Sequence, residues 1–385
     1  MRDLTDEALL RLLRADPGQW PGLAPRVAQA IGSDRLRDIA ETTRKATAGV
    51  DRIELDSSGW RVASGPGGRV LLWGRADPDG LVTSLWITAE GKERHPRRAQ
   101  HAAGLLLIVF SALAAGDAWS AHSRSAWAAG ACWILFLALV VEGLGGPAGL
   151  PWWIRRTTEA LWLAGILAAV RLPAMSGGPV TASLLLSIAL VVAAAAIIYR
   201  ARTRDWDAAV SVPLAFPLQG RWYVVQGGAS KIVNHHVASP GQRAALDLVR
   251  TGPRGTRSGS GGPGCQAYLA YGQPVFAPCD GTVLTARDGL PDQVPGIIVP
   301  QPAGGNEIVI DSGREHIRLA HLRPGTVSVT EGQHVHAGLL LGEVGNSGNT
   351  TEPHLHIEAS RDGLGVDLRF AGNPGRYWRG RTLRG

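Results

Sequence analysis

The sequence predicts a multidomain protein with a small α+β N-terminal domain, a four-helix transmembrane region and a C-terminal all-β domain. Its 385 residues exceed what one hydrophobic core usually holds, which favours two or three domains. Long apolar runs are confined to residues 102–199, and short strand-like segments with Gly and Pro turns follow residue 205. We therefore predict domains at 1–97, 98–204 and 205–385.

Residues 1–97 change from helical to strand-like patterning. The stretch before residue 50 has the apolar spacing of short helices, with Ser33 as a candidate helix cap. Residues 50–88 alternate with a period near two, and SSG, GPGG and ADPDG turns interrupt them. This pattern predicts a small accessory domain of helices followed by strands, without a recognisable catalytic set. The N-terminus lacks the features of a signal peptide, so export would use an internal membrane segment.

Four apolar runs predict about four transmembrane helices. Spanning the hydrocarbon layer takes ~20 helical residues. The last run meets that length without a charge, and tryptophans such as Trp119 and Trp152 lie near the ends of the others. The runs cover residues 102–119, 126–145, 151–170 and 179–199. The implied partner of this region is the lipid bilayer.

The net charge of +7 suits anionic partners such as lipid headgroups or cell-wall polymers. The arginines are scattered and have no aromatic platform beside them, so we predict no nucleic-acid binding. Cys265 and Cys279 fit either a disulfide in an oxidising compartment or two free thiols, and the sequence leaves both open.

Histidine clusters in the C-terminal domain, where eight of the eleven histidines follow residue 234. In His354-Leu355-His356, a strand would place both imidazoles on one face and the leucine on the other. Such clustering indicates a metal site. His334 and His336 have the same spacing, but they follow a turn, where solvated histidines are the simpler interpretation.

The context of the first pair, GNSGNTTEPHLHIEAS, resembles the closing signature of the lysostaphin and LytM-type zinc endopeptidases. Three further stretches, GQPVFAPCDGTVLTA, RLAHL and EGQHVHAGLLLGEVGNSG, resemble blocks of the same family in the same order. The resemblance covers about residues 220–360. The short strands at regular spacing after residue 205 predict an all-β domain with an antiparallel sheet, as a sandwich or partly open barrel.

The resemblance also implies a ligand set for zinc: His236, Asp247 and His356. Ten residues (237–246) separate His236 from Asp247, whereas the family has three. A loop of that length can still return both side chains to one ion. On an extended segment His235 would point away from its neighbour, which favours His236, although the choice between the two stays open.

The alternative for Asp247 is a carboxylate paired with Arg243 or Arg250. The family's two remaining active-site histidines correspond to His321 and His354, and a strand histidine bonded by the backbone is the alternative for His321. Two histidines and one carboxylate leave a fourth zinc position open, as in catalytic sites, where zinc activates water for hydrolysis.

The resemblance therefore implies a membrane-anchored, zinc-dependent metalloendopeptidase that hydrolyses peptide crosslinks or stem peptides of bacterial peptidoglycan. One alternative is a non-catalytic peptidase-like domain that binds cell-wall peptides or regulates a partner. A biotinyl or lipoyl carrier is excluded because no lysine follows Lys231. Arginines flanking the apolar runs predict cytoplasmic termini, whereas the implied substrate requires the C-terminal domain on the extracytoplasmic face. The sequence leaves this conflict open.

Overall fold

The structure, a computed structural model, describes residues 4–15, 22–25, 28, 33–55, 61–89, 96–145, 150–206, 208–258, 264–296, 298 and 302–385. Two helices, α1 (Leu4–Arg14) and α2 (Ser33–Thr47), precede a four-stranded antiparallel sheet of order β1-β2-β3-β4. The strands are β1 (Arg52–Leu55), β2 (Arg61–Gly65), β3 (Gly68–Ala76) and β4 (Val82–Ala89). Leu9 and Leu12 of α1 are buried with Leu72 of β3, so the apolar side of the helix packs on the sheet.

A bundle of four helices follows: α3 (Pro96–Ser120), α4 (Arg124–Ala138), α5 (Trp152–Leu167) and α6 (Ala182–Thr203). A π-helical turn at Leu139–Gly145 extends α4, and a 3-10 segment at Ala168–Ala174 extends α5. Among the described residues, three stretches are long and apolar enough to cross a membrane: His101–Ser120, Arg124–Gly143 and Ala182–Thr203. The predicted run at 151–170 forms α5, which is shorter.

Helix α5 nevertheless accompanies α3 along much of its length. Near the middle of α3, the indole Nε1 of Trp162 donates a hydrogen bond to Ser111 Oγ at 2.9 Å. Near its end, Trp119 Nε1 donates to the carbonyl oxygen of Ala164 at 2.7 Å. Near its start, a Cβ on Gly104 would meet a side chain of α5 at 2.5 Å. Such close approach through a small residue is typical of helices that pack within a membrane.

The C-terminal domain is an antiparallel all-β structure, which confirms that part of the predicted fold. Its main sheet has the order β11-β8-β9-β10-β13-β6-β5-β15, with β14 paired to β13, and β12 and β7 form a separate pair. The strands are β5 (Arg221–Gln226), β6 (Leu246–Val249), β7 (Pro274–Phe276), β8 (Gly281–Arg287), β9 (Asn306–Asp311), β10 (His316–Leu322), β11 (His334–Val335), β12 (Leu340–Glu343), β13 (Leu355–Arg361), β14 (Leu364–Gly365) and β15 (Thr382–Arg384).

Strand alternation separates the core from the functional face of this sheet. Leu355 and Ile357 of β13 are fully buried in the domain core, together with Leu319 of β10. Successive side chains of a strand point to opposite faces, so His356 and Glu358 lie on the other face. The apolar core therefore fixes which polar side chains of the central strands meet.

Candidate metal centre and active site

Strands β6 and β13 place Asp247 and His356 side by side. The two residues are direct partners in the antiparallel register, an arrangement that brings side chains of one face into contact. Nδ1 of His356 lies 2.9 Å from Oδ1 of Asp247, and both side chains are buried. Among the described residues, the ion-pair partners of Asp247 are histidines. Arg243 bonds the carbonyl oxygen of Gly365, and Arg250 bonds a glutamine side chain.

His236 reaches the same carboxylate from a short 3-10 helix, His235–Ala238. The side chain of Asn234 caps this turn: its Oδ1 accepts from the His236 amide at 3.1 Å, and its Nδ2 donates to the carbonyl oxygen of Ala245 at 3.2 Å. Nε2 of His236 lies 3.0 and 3.1 Å from the two carboxylate oxygens of Asp247. The ten intervening residues therefore fold back onto β6.

The expectation that His235 points away from His236 is wrong. Because the segment is a 3-10 turn and not an extended strand, the two rings lie 4.0 Å apart. Ligand atoms of His235, His236 and Asp247 lie within 4.8 Å of one another, the one such group found among the described residues. His235 is exposed, however, and His236 is buried with the direct contact to the carboxylate. His236 is therefore better placed as a ligand.

The cluster is electrostatically coupled. Burial favours the neutral form of Asp247, yet His236 and His354 hold the pKa of this carboxylate well below its usual range. Burial disfavours protonated His356, but hydrogen bonds with Asp247 and Glu358 raise its pKa to about 9. Burial and the neighbouring His236 lower the pKa of His235 to about 4. Asp247 is thus an anionic centre for ring nitrogens or a cation.

His354 and His321 have their ring orientation set by the backbone. Nδ1 of His354 donates to the carbonyl oxygen of Glu352 at 2.8 Å, and Nδ1 of His321 donates to that of Ser347 at 2.7 Å. A carbonyl oxygen can only accept, so Nδ1 carries the proton in both rings. The Nε2 atom of His354 lies 3.5 Å from Asp247 Oδ1. The ring centroids of His321 and His354 are 4.7 Å apart.

The backbone of His321 adopts a left-handed conformation, with φ at 64°. A non-glycine residue there stores strain of ~1–3 kcal/mol, and such residues cluster at functional sites. The strain coincides with a register shift between Leu319 and Leu322 in the pairing of β10 with β9. The His321 amide bonds the carbonyl oxygen of Gly304 at 2.9 Å. Burial and the neighbouring His354 hold the pKa of His321 well below its usual range.

The structure brings all five predicted site residues together. His236, His321 and His356 line one groove of about 270 Å³, and Asp247 and His354 contact these rings. The other histidine pair, His334 and His336, is exposed, as expected for solvated side chains.

Two residues with contacts in this site were missed in the sequence. Glu358 Oε2 lies 3.2 Å from Nε2 of His356, and Arg318 lines the groove. The available signal was alternation: Glu358 lies two residues after His356, and Arg318 two residues before Ala320, which pairs with His356. Each pair shares one strand face.

No disulfide joins Cys265 and Cys279 in the part of the chain that the structure describes. Cys265 is buried, and its Sγ lies 3.5 Å from the carbonyl oxygen of Gln293. Burial and the nearby Asp280 raise the pKa of Cys279 to about 11. Of the two alternatives that the sequence left open, the structure has the one without a disulfide.

The C-terminal β domain is similar to a known family of peptidases. Residues 261–368 match the model of Peptidase family M23, which confirms the resemblance to the lysostaphin and LytM-type family. The match includes His321, His354 and His356, and it begins after His236 and Asp247.

Among known proteins, the peptidoglycan DD-endopeptidase ShyA of Vibrio cholerae is 32% identical over 112 residues, which are 29% of this chain and 23% of ShyA. The chain thus spans about a quarter of that relative. A zinc-containing peptidase from Vibrio cholerae has 22% identity over 44% of this chain and 41% of its own, with a TM-score of 0.24. The catalytic domain of lysostaphin from Staphylococcus simulans has 18% identity over 40% of this chain and 86% of its own, with a TM-score of 0.22.

Proposed function

We propose that the protein is a zinc-dependent metalloendopeptidase that hydrolyses peptide crosslinks or stem peptides of bacterial peptidoglycan. The observation that carries the proposal is the convergence of His236 and His356 on the buried carboxylate of Asp247, beside His321 and His354. The family match and the likeness to a protein named as a peptidoglycan endopeptidase support this substrate class.

The donor set fits zinc. Two imidazoles and one carboxylate are the ligands of one group of catalytic zinc sites, which keep a further position open. His236, Asp247 and His356 would hold the ion, and Glu358 would orient the ring of His356 from its far side, as outer carboxylates do in such sites. A bound zinc ion would supply a Lewis acid for the scissile carbonyl and for water.

His321 and His354 supply the remaining chemistry. Because Nδ1 of His321 is committed to a carbonyl oxygen and the ring is neutral, its Nε2 lone pair can accept a proton from water. Burial would lower the pKa of His354, but Asp247 and the carbonyl oxygen of Glu352 raise it above its usual value. Its Nε2–H can donate to the oxyanion that develops on the scissile carbonyl. The rings of acceptor and donor lie 4.7 Å apart, with His321 on β10 and His354 directly before β13.

Metal analysis and hydrolysis of purified peptidoglycan test the proposal on the full chain in detergent. We expect one zinc per chain, release of soluble fragments, loss of activity with a chelator and recovery with added zinc. Asp247→Ala and His356→Ala should abolish zinc binding. His336→Ala removes an exposed histidine outside the groove and is the matched control. A wild-type chain without stoichiometric zinc or hydrolysis would favour the non-catalytic alternative, a domain that binds wall peptides.

We also infer that the four helices form a multi-pass membrane anchor with both soluble domains on the extracytoplasmic face. Helix α5 accompanies α3, so it would cross the membrane wherever α3 does. Its charges are compensated locally, because Arg155 pairs with Glu142 and Glu159 at distances of 2.8 and 3.0 Å. Four antiparallel crossings return the chain to its starting side. Reporter fusions after residues 90 and 385 should both report the outside; opposite or cytoplasmic signals would contradict this orientation.

A further inference from the structure

Arg318 contributes a cationic side chain to the groove beside the proposed active site. It lines the same groove as His321 and His356. Its side chain is 36% exposed, whereas the flanking carboxylates Glu307 and Glu358 are 7% exposed. The guanidinium is therefore the member of this group that a ligand in the groove would meet.

The side chain of Arg318 faces two carboxylates at ion-pair distance. Its Nε lies 3.4 Å from Glu358 and 3.8 Å from Glu307, without hydrogen-bond geometry, and this buried nitrogen has no hydrogen-bond partner among the described residues. Oε1 of Glu307 pairs with Arg287 at 2.9 Å, whereas its Oε2 has no hydrogen-bond partner among the described residues. Glu358 contacts His356 at 3.2 Å. The two carboxylates thus hold the cation in place. Because Nε is buried, a ligand in the groove would meet the terminal nitrogens of the guanidinium.

The position of Arg318 relates it to the scissile bond. Arg318 pairs with Glu358 across β10 and β13, and Ala320 pairs with His356. Two residues of a strand span about 7 Å, and an extended peptide covers about 3.5 Å per residue. If a substrate peptide lies along the groove with its scissile bond next to His356, the residue that faces Arg318 is about two residues from that bond.

We propose that Arg318 is a specificity-determining residue that binds a free carboxylate of the substrate peptide within about two residues of the scissile bond. A planar guanidinium matches a carboxylate in a bidentate manner, which a lysine ammonium does not reproduce. The favoured substrate is thus an anionic peptide, and its amidated counterpart binds less well. This inference rests on the proposed peptidase function and specifies its substrate class.

Binding of two dye-labelled peptides to the full chain in detergent tests the inference. The peptides end in D-alanine and differ only in a free or an amidated terminal carboxylate. Fluorescence anisotropy gives both Kd values without requiring cleavage. We expect the wild-type chain to prefer the free carboxylate by about 10- to 100-fold, Arg318→Met to lose the preference, and Arg318→Lys to retain part of it. Arg314→Met removes an equal charge from an exposed turn outside the groove and should keep the wild-type preference.

Equal binding of the two peptides by the wild-type chain, or an unchanged preference in Arg318→Met, would overturn the role of Arg318. Zinc content of each variant checks that the fold is intact, and the wild-type comparison stands even where a variant does not fold. Hydrolysis of peptidoglycan is scored separately. A chain that prefers the carboxylate but does not hydrolyse contradicts the peptidase proposal, whereas hydrolysis without the preference contradicts this inference.

Discussion

Replacement of Glu358 tests whether a carboxylate behind His356 sets the strength of the proposed zinc site. Its Oε2 lies 3.2 Å from Nε2 of His356 in a buried environment, while Nδ1 of the same ring faces Asp247. Outer carboxylates of this kind contribute about 10- to 100-fold to metal affinity, which corresponds to about 1.4–2.8 kcal/mol.

Two substitutions of Glu358 should lower the zinc affinity to different extents within this range. Glu358→Gln keeps the side-chain shape and an acceptor oxygen for the Nε2–H of His356, so only the negative charge is lost and we expect about tenfold weaker zinc binding. Glu358→Ala also removes the acceptor and leaves a buried N–H unpaired, so we expect about a hundredfold loss. The order of the two variants is as informative as the size of either effect.

Competition for zinc with a chromophoric chelator at constant pH measures both affinities on the full chain. Glu343→Gln is the matched control, because Glu343 pairs with Arg323 at 2.6 Å on the separate two-stranded sheet. Wild-type affinity in both Glu358 variants would refute the claim that this carboxylate orients His356. Equal losses in the Glu343 control would indicate a general charge effect instead.

Three further outcomes follow from contacts elsewhere in the chain. His354→Ala should lower the rate of hydrolysis by about 10²–10⁴-fold while zinc content, measured on the same sample, stays at the wild-type level. Burial would raise the pKa of Glu315, but hydrogen bonds from Arg361 and a serine lower it. Its ionised form therefore stabilises the fold above its unfolded pKa of ~4.3, and this contribution is lost as the pH falls through the lower folded pKa. Denaturant midpoints between about pH 3 and 6 should depend less on pH in Glu315→Gln. Trp162→Phe removes the indole hydrogen bond to Ser111 and should destabilise the helix bundle by about 1 kcal/mol in a detergent unfolding assay.

Local sequence patterns predicted the faces of strand β13 and the positions of the helices. Alternation in the HLHIE stretch placed Leu355 in the core and the histidines on the opposite face, because a strand has only two faces. The length of the apolar runs located the helices, because a run of about 20 apolar residues is typical of a membrane helix. The predicted run at 151–170 forms a shorter helix, α5, and only its contacts with α3, such as the bond from Trp119 to Ala164, show that the two run together.

The contacts that could not be predicted are tertiary. The His235–His236 segment carries no helix signal, and its turn depends on a buried Asn234 whose partners lie up to 11 residues away. The groove position of Arg318 follows from the register of β10 against β13, which no short motif encodes. The contact of Glu358 with His356 follows from alternation along β13, but the sequence does not show that both rows face a groove. The sequence therefore indicated which residue types belong to the site but not which neighbours orient them.

The long separation between His236 and Asp247 illustrates how such tertiary contacts replace local spacing. Lengthening a loop from about three to about ten residues costs about 1 kcal/mol in closure entropy. Asn234 is fully buried and bonds the His236 amide, the carbonyl oxygen of Gly228 and that of Ala245. Each such bond contributes about 1 kcal/mol, so a single capped turn offsets the cost. The position of the first histidine therefore depends on Asn234 more than on the number of residues between the ligands.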